Sequence, residues 1–125
     1  MQLGYSNSDM TDPYILFETK KECRDFLQHK PQPSVRFYAK DYVDFETQNE
    51  IHNGVVNVDL NTLTIITNSI LDFKNDYLLV SLRDNRIWRI QRVRVIDDGR
   101  MKRKSMRPRK RTVLTLIGSD PDEWR

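Results

Sequence analysis

Apolar residues in this chain come in short dense runs rather than in a helical stripe. The first, Tyr14-Ile15-Leu16-Phe17, is followed at once by Thr19-Lys20-Lys21-Glu22. That spacing is a capping box, in which the Thr19 side chain accepts from the first helical turn and Glu22 reaches back. It predicts a strand, then a helix over 20–28 with Cys23, Phe26 and Leu27 on one side, stopped by Pro31 and Pro33. A longer helix, capped by Asp12 with Pro13 in its first turn, is the competing reading.

Beyond Pro33 the pattern is that of strands and turns. Strands are expected at 35–39, 42–45, 55–58, 63–66, 77–82, 87–96 and 113–117. Turns are expected at Asn53-Gly54, at Asn61-Thr62, over 83–86 and over 97–99. In the run 87–96 neither alternate set of residues is uniformly apolar. A bulge near Gln91 reconciles them, placing Trp88 and Ile90 on the face continued by Val93 and Val95. Trp88, Ile90 and Val93 are then core anchors. Short strands with regular turns predict a mainly β fold. The expected form is a small β-barrel or sandwich of short antiparallel strands, with one N-terminal helix and a long basic hairpin loop. It is read as a single domain over 1–125, with a flexible arm at 1–11 and a protruding loop at 99–112.

Charge changes this picture more than composition does. At 125 residues, 38% hydrophobic and 31% charged, the chain reads as an ordinary globular domain. Its net charge of +3 conceals an asymmetry. Between Arg83 and Arg111 there are thirteen basic and three acidic residues, a net +10, which leaves −7 elsewhere. Eight of the twelve residues from Arg100 to Arg111 are basic: Arg100, Lys102, Arg103, Lys104, Arg107, Arg109, Lys110 and Arg111. A solvated hairpin tip, docking on acidic protein surface, and contact with nucleic-acid phosphates all fit this run. Opposed charges also favour head-to-tail contact between copies.

Other functional classes find little support. The single Cys23 rules out an intrachain disulfide and a Cys-rich zinc site, and it suits a reducing cytoplasm. No stretch approaches the roughly 18 apolar residues of a membrane span, and Met1 to Asn7 lacks the pattern of a signal peptide. Asp41, Asp44, Glu46 and Glu50 gather near His52, but as a strand face and its turn they read as a solvated acidic edge. His29 has no evident partner. With four glycines there is neither a phosphate-binding loop nor a nucleophile elbow. No catalytic residue, metal ligand or cofactor is expected.

One resemblance lies in the C-terminal half. The order 63–68, then Leu71-Asp72-Phe73-Lys74-Asn75-Asp76-Tyr77, then Asp84-Asn85-Arg86-Ile87-Trp88-Arg89-Ile90-Gln91-Arg92-Val93, then a long hairpin closing on Leu114-Thr115-Leu116-Ile117-Gly118, resembles the head-tail joining proteins of tailed bacteriophages. These are also called head-closure, stopper or connector proteins. The matching positions are structural: Asn75-Asp76 opening a strand, and the turn Asp84-Asn85-Arg86 leading into an aromatic-x-Ile-x-x-Val strand. The resemblance implies a structural virion protein at the head-tail interface, assembled in the host cytoplasm. It implies a homo-oligomeric ring of six- or twelve-fold symmetry that contacts a portal or adaptor protein and a tail protein. Non-specific contact with packaged DNA is a further expectation, and membrane contact is not. Met1 to Pro33 does not align to that pattern, and the run 99–112 is more basic than it. The alternative is a small-barrel nucleic-acid-binding module that uses the basic hairpin, with Tyr38, Tyr42 or Phe45 for stacking.

Overall fold

The computed structural model describes residues 10–43, 45–54, 61–98, 109–120 and 122. Six strands, β1 (Asp12–Phe17), β2 (Val35–Asp41), β3 (Thr62–Thr67), β4 (Leu78–Ser81), β5 (Ile87–Asp98) and β6 (Arg109–Gly118), are joined in the order β1-β2-β3-β6-β5-β4. The ring closes through β1 and β4, and every pairing is antiparallel. Among the described residues there are two helices, α1 (Lys20–Leu27) and α2 (Phe45–His52).

The apolar runs are dense because several strands are covered on both faces. Inward, Tyr14, Leu16, Phe37, Ala39, Ile65, Leu79, Trp88, Ile90, Leu114 and Leu116 fill the barrel. Outward, Ile15, Phe17, Leu78, Val80 and Ile87 are roofed by Cys23, Phe26 and Leu27 of α1, with the Phe17 and Phe26 rings 5.2 Å apart. The expected capping contact is present: the Glu22 N–H donates to Thr19 Oγ1 at 3.1 Å. A third cluster lies on the outer face of β3 and β6, where Met10 packs on Ile66 and Val113 beside Tyr42 and Ile96. The expected flexible arm therefore ends earlier than residue 11, since Met10 is buried; positions 1–9 lie outside the described residues.

Bulging at Gln91 reconciles the two faces of β5. The ladder pairs Ile90 with Leu116 and Arg92 with Thr115, so Gln91 is the extra residue. Trp88, Ile90 and Val93 therefore all turn inward. Val95, expected on the same face, is instead 59% exposed. It lies opposite Thr112, where the two strands are leaving the barrel wall.

Two expectations fail for identifiable reasons. Residues 42–45 are not a strand. The β2–β3 pairing ends at Asp41, opposite Ile65, and from Phe45 the chain is helical. Aromatic content suggested a strand there, but Phe45 is 90% exposed and has no pleated surface to pack on. The supposed loop 99–112 is also shorter, because β6 begins at Arg109 and residues 109–112 are ladder. Arg111 sits opposite Ile96 and is buried, its Nε donating to Asn68 Oδ1 at 3.2 Å. The expected strand 55–58 lies outside the described residues.

The two ends of the barrel differ. Because β3 and β4 are not neighbours, the connection 68–77 must cross one end, and it carries Leu71 and Phe73 into the core. Phe73 meets Phe37 edge-on at 5.0 Å, and Phe37 stacks on Tyr14 at 5.6 Å. Backbone bonds at the bulge fasten this plug: the Asp76 N–H donates to the Ile90 carbonyl, and the Ile90 N–H to the Tyr77 carbonyl, both 2.8 Å. At the other end no segment of the described residues crosses the interior.

Candidate functional site

The open end is a polar cavity of about 420 Å³. Antiparallel winding brings to this end the start of β1, the end of β2, the start of β3, the β4–β5 turn and the end of β6. Its rim is held by short backbone bonds, from Gly118 N to Asn61 O at 2.7 Å and from Leu82 N to Pro13 O at 3.0 Å. Gly118 has little room for more: a Cβ there would stand 3.3 Å from Asn61 Cβ.

Three carboxylates surround the cavity, one from each of β1, β2 and the β4–β5 turn. Asp12 Oδ1 is held by Arg83 at 2.9 Å, and Asp84 Oδ1 accepts from the Arg86 N–H at 3.1 Å. Asp41 has no ion pair or hydrogen bond to its side chain among the described residues. Arg86 lies over the Trp88 ring, 4.4 Å from its centroid. The Tyr14 hydroxyl reports the local field. Burial pushes its pKa up from the ordinary value, Asp41, Asp12 and Asp84 push it further, and Arg83 opposes them.

The residues singled out from sequence fall into separate places. Trp88 (4% exposed) and Ile90 (fully buried) are in the core, and Val93 packs against it. In the turn, Asn85 is left-handed with φ of 59°, and its N–H donates to the Ser81 carbonyl. In the plug, Asp76 is left-handed with φ of 73° and accepts from Arg89 Nη1 at 2.9 Å, following Asn75. Of the basic run, Arg100, Lys102, Arg103, Lys104 and Arg107 lie outside the described residues. Arg109 is in β6, Lys110 is exposed, and Arg111 is buried.

The acidic edge dissolves as a unit. Glu46 is on α2 and pairs with Arg94 at 2.9 Å, Asp41 ends β2, and Asp44 is not described. Among the described residues no three acidic, His or Cys side chains are grouped to hold a metal. Of the aromatics considered for stacking, Phe45 and Tyr38 (46%) are exposed, whereas Tyr42 is part-buried.

Sequence reasoning did not single out the cavity. Asp12, Asp41 and Asp84 are far apart along the chain, and only the strand order makes them neighbours. The available signal was positional: Asp12 and Asp41 are at strand termini and Asp84 is in a turn between strands, and antiparallel pairing puts all three at one end.

Six strands closed into an antiparallel barrel, plugged at one end and open at the other among the described residues, define the structural class. In comparisons with known proteins, no family model, no curated protein and no solved structure matches the chain.

Proposed function

We propose that this protein is a structural joint of a tailed phage particle, assembling as a ring between the head portal and the tail. One observation carries the reading. Within the closed wall each strand is paired on both sides, so contacts fall to the ends, the faces and whatever projects past the wall, and here the ends are opposite in kind. β3 pairs with β6 only as far as Thr67 and Thr112. Beyond that rung, β5 and β6 continue as a two-stranded projection toward the basic run, whereas the cavity at the other end is lined by Asp12, Asp41 and Asp84 together with Arg83 and Arg86. The resemblance over the C-terminal half points the same way. The proposal assigns no catalytic chemistry and no cofactor, and its partners are further copies, a portal or adaptor protein and a tail protein.

The nucleic-acid-binding alternative draws on Phe45 and Tyr38, whose exposed rings suit base stacking. One experiment separates the two. Arg103, Lys104, Arg107, Arg109 and Lys110 are replaced by Gln or Ser, and particles carrying the variant are imaged by electron microscopy. Full heads without tails support docking on protein, and emptied heads support a grip on DNA. Normal virions would remove the hairpin from either role. Binding of the unaltered protein to DNA, if it drives function, falls with salt at a log–log slope near 0.9 per phosphate contacted. A chain that never sediments with portal-bearing heads is not a connector.

A further inference from the structure

The open cavity contains polar groups that the fold leaves unused. Tyr14 and Trp88 are 3% and 4% exposed and both line it. Tyr14 Oη has no hydrogen-bond partner among the described residues, and it is not sealed from solvent-sized space. Ser81, 5% exposed, adds a hydroxyl in the same condition. Beside them stands Asp41, the one carboxylate of three without a partner among the described residues. The wall already accommodates one guanidinium, that of Arg86 against Trp88. Carboxylate and hydroxyl acceptors next to an indole face are the chemistry that receives a cation.

We propose that the open mouth is a receptor for a guanidinium or ammonium side chain, and that the β5–β6 hairpin of a second copy supplies it. Burial is the main cause of the raised Tyr14 pKa, and the part added by Asp41, Asp12 and Asp84 against Arg83 has the sign such a guest requires. The hairpin cannot reach the mouth of its own barrel. β5 starts at the mouth with Ile87 and runs twelve residues away from it, about 36 Å at strand spacing. A ten-residue span between Asp98 and Arg109, going out and back, can extend at most about 18 Å from its base. Contact between a basic tip and an acidic recess at opposite ends of one molecule is heterologous. It closes into a ring where the rotation permits. The inference rests on the ring reading only for its source of the cation.

The test uses the whole protein and a synthetic peptide of residues 99–112. In a Trp124→Phe background, Trp88 fluorescence reports peptide binding, and sedimentation reports self-association alone and on portal rings. Saturable binding that weakens about tenfold or more in Asp41→Asn, and is unchanged in Asp72→Asn at the plugged end, supports the receptor. Self-association with the same dependence identifies the second copy as its source. Equal loss in both variants, or no loss in either, overturns the receptor. Rings that form undiminished with Asp41→Asn leave the ring reading standing and sink this contact. Peptide binding by a chain that never associates, alone or on portals, overturns the assignment to a second copy and the ring reading together.

Discussion

Trp88 is the most demanding test of this architecture, since it lies in the core and also forms a wall of the cavity. Replacing a buried Trp by Ala costs about 3–5 kcal/mol. The Arg86 guanidinium 4.4 Å above the ring contributes about 0.5–1 kcal/mol of that, because it is exposed. Truncation here enlarges a space already open to water, so solvent enters where a sealed site would keep a void. The expected loss is therefore at the low end, about 3 kcal/mol, a large share of the ~5–15 kcal/mol that holds a domain together. With a urea slope of about 1.5–2 kcal/mol per molar, the midpoint of far-UV circular dichroism falls by about 1.5–2 M. Ile90→Ala, two residues along β5 and fully buried, should be at least as damaging. A Trp88→Ala midpoint within about 0.5 M of the parent would refute the placement of this side chain.

Three further outcomes follow from the same structure. Phe45→Ser should leave the urea midpoint within the ~0.5 kcal/mol typical of surface changes, since that ring is 90% exposed; a loss above about 1 kcal/mol would mean that α2 packs through it. Thr19→Ala should cost about 1 kcal/mol by removing the cap on α1, read from thermal melts. Burial pushes the Cys23 thiol up to about 12 from its ordinary 9.0. A thiol that holds its proton more tightly when folded stabilises fully below pH 9, and that contribution drains away toward pH 12 at about 1.4 kcal/mol per unit. The Tyr14 hydroxyl adds in the same direction above pH 10. Thiol labelling of the native protein at pH 8 should therefore be far slower than of the urea-unfolded chain, and melts should weaken steadily above pH 9.

The barrel was legible where local pattern and burial agree. The break in alternation at Gln91 located a bulge because a strand with one buried face must keep parity, and one extra residue restores it. The helix at Thr19 was legible because capping is local chemistry. At Phe45 the composition misled, since an aromatic is a sign of a strand only where a sheet exists to receive it. Arg111 was misread for a related reason: within a basic run it looks like its neighbours, but pairing with Ile96 turns it toward Asn68 instead of water. The cavity needed the strand order, which no window of the sequence contains, and its residues come from four separate segments.

A closed hoop is only as strong as its weakest joint, and this one is uneven. β5 and β6 share ten paired rungs and β3 and β6 share six, while β2 and β3 share two, Lys40 with Ile66 and Asp41 with Ile65. Side bonds help at that joint, from Tyr42 N to the Thr64 carbonyl at 2.9 Å and from Thr67 Oγ1 to the Tyr38 carbonyl at 2.7 Å. Met10 packs over it on Ile66. If the barrel parts below its global unfolding limit, it should part there, with β1, α1 and β2 swinging as one flap on the β1–β4 pairing. The N-terminal segment then works as a latch. Amides of β2 facing β3 should exchange their hydrogens well before those of β5 and β6, and a chain clipped before Thr11 should exchange them sooner still. The same flap is the element two copies would trade if the protein were held, concentrated, near its melting point.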